Sequence, residues 1–205
     1  MLTTHQALIQ DLTARGVLRS ASVIGAFSDI DRALFVGLEN REIAYADRPL
    51  PIGHDQTISQ PTTVGFMLEL LGAQLGDRAL DVGSGSGWTT ALLAHIVGPQ
   101  GSVLGIERIP DLARRSREHL AAIGARVTVR DATPGVLGAP DDAPFDRILV
   151  SAAADDVPDG LVRQLRIGGV MVLPVRESVV HVERTGDDEV TTQEYPGFAF
   201  VPLLP

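Results

Sequence analysis

Apolar residues recur at two different spacings along this chain. In the stretch from Thr3 to Arg15, Ala7, Leu8 and Leu12 share one helical face and Gly16 follows as a stop, so an amphipathic helix is expected there. Ser20 can cap a second short helix through Phe27, and Asp29 to Val36 can add a further turn. Arg41 to Pro51 reads as a loop, with prolines at 49 and 51. Pro51 to Pro61 is small, polar and turn-forming without periodicity, a poor core segment and a good site loop. Pro61 suits the first position of a helix whose apolar stripe is Val64, Met67, Leu68 and Leu71.

From residue 78 onward, short apolar runs alternate with helical patterns. Strands are expected at Arg78–Val82, Val103–Ile106, Val127–Arg130, Phe145–Val150 and Val170–Val175. Helices are expected at Trp88–Val97, Asp111–Ile123 and Asp159–Leu165. Such alternation predicts an α/β fold, a doubly wound and mostly parallel sheet with helices on both faces. The pattern then changes to Ser178–Arg184, a charged turn at Gly186-Asp187-Asp188, and Val190–Val201. Two strands around a tight turn predict an antiparallel hairpin at the sheet edge. No linker, repeat or low-complexity segment interrupts the chain, so one domain is expected over 1–205. Its parts are N-terminal helices and site loop (1–76), a sheet core (77–175) and a C-terminal hairpin (176–205).

Composition narrows the function classes. The 205 residues are 44% hydrophobic and 21% charged, and no apolar run approaches a membrane span. The stretch from Met1 to Gln6 lacks signal-peptide character, and there is no cysteine, so a cytoplasmic protein without disulfides is expected. The formal net charge is -9 and every basic residue is arginine. With no basic run beyond Arg114-Arg115-x-Arg117, nucleic acid is not the expected partner. Without lysine there is no Walker A loop. Histidines at 5, 54, 95, 119 and 181 show no metal-ligand spacing, and only His54 lies in the site loop.

The chemistry concentrates in Leu80-Asp81-Val82-Gly83-Ser84-Gly85-Ser86-Gly87, a strand end followed by glycines and a helix start. This is how an α/β sheet holds a nucleotide-like cofactor at the carboxyl end of its first strand. The third glycine comes one residue earlier than in G-x-G-x-x-G, and Asp81 stands two residues before the first. Both features favour S-adenosylmethionine over NAD. The next strand ends in Glu107, where a carboxylate can grip a ribose diol.

Several blocks together resemble one family along nearly the whole chain. They are Pro49 to Gly53, Gln56-Thr57-Ile58-Ser59-Gln60-Pro61, Asp81 to Gly87, Gly105 to Arg108, Pro144 to Asp146 and Ala152 to Ala154. Later come Gln164-Leu165-Arg166-x-Gly168-Gly169, Leu173-Pro174-Val175 and Phe200-Val201-Pro202-Leu203. The chain resembles the protein-L-isoaspartate (D-aspartate) O-methyltransferases, whose fold is the Rossmann-like one of S-adenosylmethionine-dependent methyltransferases. The resemblance implies repair: methylation of the α-carboxylate of isoaspartyl residues in damaged peptides and proteins, by a monomer.

It also implies roles for residues. Asp81, Gly83, Ser84, Gly85 and Gly87 would hold the methionine end of the cofactor, Glu107 the ribose and Asp131 the adenine amino group. Ser59 would orient the acceptor carboxylate, with Thr57, Ile58, Ala152 and Ala153 (and Ala154 beside them) lining the acceptor cleft. Ser59 could instead cap the helix at Pro61, and Asp131 could be a turn acid. The chain departs from the family at Asp55, usually small, at Ala132, usually glycine, and at Asp155, usually proline. Asp55 and Asp155 are expected to bring negative charge near the acceptor. Other readings of the same residues are a same-fold enzyme with another acceptor, a cofactor-binding protein without catalysis, or an NAD enzyme.

Overall fold

The computed structural model describes residues 4–204. Helix α1 (His5–Ala14) begins at Thr4, whose side chain accepts a hydrogen bond from the Ala7 amide, and Thr3 of the expected helix lies outside the described residues. Ser20 caps α2 (Ala21–Asp29) in the same way through the Val23 amide. Two 3-10 turns follow, Arg32–Phe35 and Leu38–Ile43.

The expected loop from 41 to 61 is only partly a loop. Strands β1 (Leu50–Gly53) and β2 (Gln56–Ile58) pair antiparallel into a small separate sheet. Leu50, Ile52 and Ile58 are buried while Pro51, Gly53 and Thr57 are exposed, so a two-residue alternation was present under the polar composition. His54 and Asp55 close the hairpin with φ of 54° and 57°, the sign pattern of a type I′ turn. Helix α3 (Pro61–Leu71) starts on its proline and ends at Gly72 in the left-handed conformation.

The main sheet has seven strands in the order β5-β4-β3-β6-β7-β8-β9. They are β3 (Arg78–Val82), β4 (Ser102–Glu107), β5 (Thr128–Asp131), β6 (Phe145–Val150), β7 (Leu165–Val175), β8 (Ser178–Arg184) and β9 (Val190–Pro196). Pairing is parallel from β5 to β7, and β7, β8 and β9 are antiparallel. Helices α4 (Trp88–Val97) and α5 (Pro110–Ala122) fill two crossovers.

Both sheet faces are covered, but unequally. Ala79, Val103, Leu149 and Val172 point into a core shared with α1 to α5. Leu80, Ile148, Met171 and Val182 point the other way, under the loop around Ala139, the four-residue α6 (Asp159–Val162) and Leu203. Three element ends also differ from expectation. The helix expected to reach Leu165 stops at Val162, and β7 begins at Leu165 with an irregularity where Phe145 and Arg147 of β6 pair with Leu165 and Val170. A Cβ on Gly169 would lie 2.9–3.2 Å from three backbone carbonyls, so the strand can bulge there only with glycine. Strand β9 stops at Pro196 because Gly197 turns with φ +99°, and residues 198–204 run back toward the parallel strands' ends.

Candidate active site

Strands β3 and β4 run side by side with Val82 opposite Ile106, so the chain leaves both at the same edge of the sheet. The amides of Gly83 and Ser84 both donate to the Ile106 carbonyl, which folds the glycine loop over the end of β4. Gly83, Gly85 and Gly87 all have positive φ. At Gly87 the need is also steric, since a Cβ would sit 2.5 Å from Ser116 Oγ of α5. Glu107 closes the loop from below: Oε2 accepts from the Gly85 amide (2.8 Å) and Oε1 from the Ile109 amide (2.9 Å). It is 6% exposed and faces the cleft above the loop, with acceptor capacity left for hydroxyl donors.

That cleft encloses about 1080 Å³ of empty space, part of it open to solvent. Ser59, Thr57, Ile58, Gly83, Ser84, Gly85, Glu107 and Ala152 all line it. These eight of the residues expected to bind cofactor and acceptor therefore meet in one place. Ser59 does not cap α3: the cap position is Gln60, and its side chain makes no capping bond. The Ser59 hydroxyl has no hydrogen-bond partner among the described residues and stands on the cleft wall.

Other expected residues lie elsewhere. Asp81 is fully buried beneath the loop, outside the wall; its Oδ2 accepts from Thr89 Oγ1 (2.8 Å) and Thr90 Oγ1 (2.6 Å). Burial raises its carboxyl to about 6, the two threonines oppose this, and nearby Glu107 adds to it. Gly87 forms the loop's far end rather than the wall. Asp131 is 54% exposed with Oδ1 3.3 Å from Arg117, and Ala132 lines the cleft beside it. Ala153 holds the C-terminal tail: its amide donates to Val201 O (2.8 Å) and its carbonyl accepts from Leu203 N (2.7 Å). Asp55 and Asp155 also lie outside the wall, the first at the hairpin tip and the second on an exposed turn.

Several wall residues carried no expected role. Ile52 and Gln56 come from the hairpin, Trp88 from the start of α4, and Val136 to Gly138 from the loop after β5. Val201 to Leu204 of the tail close the side next to Ala152, and the Phe200-Val201-Pro202-Leu203 block was the signal that could have placed them. Ser84 and Trp88 line this cleft, and Ser84 Oγ, Trp88 Nε1 and, beneath the cleft, Asp81 Oδ1 are buried without hydrogen-bond partners. This unused polar capacity, with glycines leaving the floor open, fits a cofactor bearing an amino acid and a ribose.

Comparison with known proteins gives the chain's family and fold relatives. Residues 3–205 match the family model described as Protein-L-isoaspartate(D-aspartate) O-methyltransferase. The chain is 44% identical to the protein-L-isoaspartate O-methyltransferase of Ignicoccus hospitalis, covering 96% of this chain and 95% of that one. It is 43% identical to the Methanopyrus kandleri protein of the same name, covering 98% and 91%. Among solved structures, a Plasmodium falciparum chain described as a protein-L-isoaspartate O-methyltransferase with S-adenosyl-L-homocysteine superposes with a TM-score of 0.87. Identity there is 26%, over 98% of this chain and 99% of that one. The chain belongs to the protein-L-isoaspartate(D-aspartate) O-methyltransferase family.

Proposed function

We propose that this chain uses S-adenosylmethionine to methylate the α-carboxylate of isoaspartyl residues, with Ser59 on the acceptor side and the glycine loop on the donor side. The observation that carries the residue assignment is the free Ser59 hydroxyl facing the same cleft as Gly83, Gly85 and Glu107. When bound, the cofactor supplies an electrophilic methyl group on a sulfonium. Gly83 to Gly85 would give its amino-acid end close backbone approach, and Glu107, held by the Gly85 amide, would accept from the ribose hydroxyls. The apolar wall of Ile109, Ala132 and Val136 suits the adenine.

The acceptor needs no general base, because a carboxylate is already ionised at neutral pH. Its oxygen forms the new bond to the methyl carbon as the carbon–sulfur bond breaks, so the protein's task is to bring two reactants into line. Ser59 Oγ–H donates to the acceptor carboxylate's other oxygen, while Thr57, Ile58 and Ala152 shape the pocket around it. The methyl ester can then cyclise to a succinimide and reopen in part as normal aspartate. Asp81 acts from beneath by holding Thr89 and Thr90 at the head of α4.

The same reading makes residues 1–205 one functional unit, a monomer of the cytoplasm acting on damaged proteins. Among the described residues no helix is long and apolar enough to cross a membrane. The test is transfer of labelled methyl groups to an isoaspartyl peptide and to its aspartyl twin. Labelling confined to the isoaspartyl form is expected, and equal labelling of both would replace the substrate assignment with a broader carboxyl methyltransferase.

A further inference from the structure

Arg32 lies outside the cleft, yet it ties the cleft's two sides together. It sits in the first 3-10 turn and is 1% exposed. Its Nη1 donates to the carbonyls of Ala44 (2.5 Å) and Ala46 (3.5 Å). Nη2 donates to those of Arg48 (3.1 Å), Ile58 (3.5 Å) and Ser59 (3.1 Å). The guanidinium carbon also lies 5.3 Å from the centre of the Trp88 ring, a cation–π distance. Trp88 opens α4 directly after the glycine loop and lines the cleft, as Ser59 does from the other side.

Burying a cation without a paired carboxylate costs several kcal/mol, so it is a poor device for filling a core. Burial pushes this guanidinium down to about 10, against attraction from Asp47, and it stays charged at neutral pH. A flat fork of donors does what an apolar side chain cannot: it fixes several carbonyls at once in one plane. Here those carbonyls belong to the 44–48 loop and to the end of β2 that carries Ser59.

Resting on the proposed function, we propose that Arg32 is a positioning residue for methyl transfer: it holds the Ser59 backbone against Trp88 and so sets the acceptor side at a fixed distance from the glycine loop. Arg32→Lys keeps the charge and loses the fork. We expect kcat to fall by roughly ten- to a hundredfold, since small misplacements of reacting groups cost that much, while S-adenosyl-L-homocysteine affinity measured by calorimetry holds. Amide hydrogen exchange should rise in residues 44–48 and 57–60 and stay constant in β3 and α4. Lowered thermal stability with unchanged kcat, and exchange raised throughout the chain, would overturn the proposal and leave Arg32 a purely structural residue. Should the lysine variant not melt cooperatively, Arg32→Ala is refolded with and without ethylguanidinium. Restored folding and turnover with the additive are expected, and failure to restore either contradicts the proposal. If the parent chain itself transfers no methyl group, the proposed function fails, and the exchange pattern still decides whether Arg32 fixes the Ser59 segment.

Discussion

Asp81 stands at the centre of the glycine-loop motif and outside the cleft that the motif builds. Its carboxyl is raised to about 6 from an ordinary value of 3.8, chiefly by burial. For an acid this means the folded state binds its proton more tightly than the unfolded chain does. The fold therefore bears no penalty from Asp81 below about pH 4, a growing one between pH 4 and 6, and the full penalty above 6. A shift of roughly two units corresponds to about 3 kcal/mol. Asp81→Asn keeps an oxygen for Thr89 and Thr90 and removes the charge. Denaturant unfolding from pH 4 to 7 should show the variant's advantage growing from near zero to about 2–3 kcal/mol, and a pH-independent difference would contradict this account. At this scale a residue's place on the cleft wall was legible where its neighbours form a motif, as at Ser59 and Glu107. It was not legible at Arg32, because seventeen arginines look alike in a sequence and only the fold shows which one is buried. Asp131 was legible as a strand-end acid but not in its direction, which the Arg117 pairing reveals.

Among the elements, the β1–β2 hairpin changes the meaning of a departure from the family pattern. The acid at 55 suggested repulsion of the acceptor, whereas the structure makes it a turn residue with φ 57°. His54 beside it reaches α5, with Nε2 3.1 Å from Asp111 Oδ2, and Arg115 Nη2 donates to Ile52 O at 2.7 Å. The Arg114 and His54 hydrogen bonds hold the Asp111 carboxyl down to about 2, so this anchor stays charged on the acid's side across the physiological range. Left-handed conformation costs a non-glycine residue about 1 kcal/mol, somewhat less for aspartate, and glycine's greater unfolded freedom cancels part of the gain. Asp55→Gly should thus stabilise the chain by about 0.5 kcal/mol, read as a higher melting temperature, with kcat/KM for a neutral isoaspartyl peptide unchanged at low and high salt. A salt-sensitive rise in kcat/KM would return Asp55 to the acceptor's surroundings. The hairpin was hidden because its alternation spans only a few residues and its turn lacks the Asn-Gly or Asp-Gly signal. The strands of the main sheet were legible to within a residue or two except at β7 and β9, where Gly168-Gly169 and Gly197 bend the chain without changing the apolar pattern.

Across the whole molecule, the parallel strands order the chemistry. Strands β3 and β4 end together and put the glycine loop and Glu107 on one edge, and the hairpin and α3 bring Ser59 to that edge from the N-terminal third. The C-terminal tail reaches the same edge by pairing with Ala153, so residues far apart in sequence close a single cleft. Alternation of strands and helices made the sheet legible from the sequence, but the uneven covering of its two faces was not, since helix length and loop packing depend on tertiary contacts. The central claim is that Ser59 serves the acceptor while the glycine loop and Glu107 serve the cofactor. Its most direct test compares methyl transfer to one neutral isoaspartyl peptide by the parent chain and by Ser59→Ala, with S-adenosyl-L-homocysteine affinity measured on both. The account predicts a loss of roughly tenfold or more in kcat/KM, the size expected for one charge-assisted hydrogen bond of about 1.5–3 kcal/mol, with cofactor affinity and melting temperature nearly constant. Full activity in Ser59→Ala would contradict it.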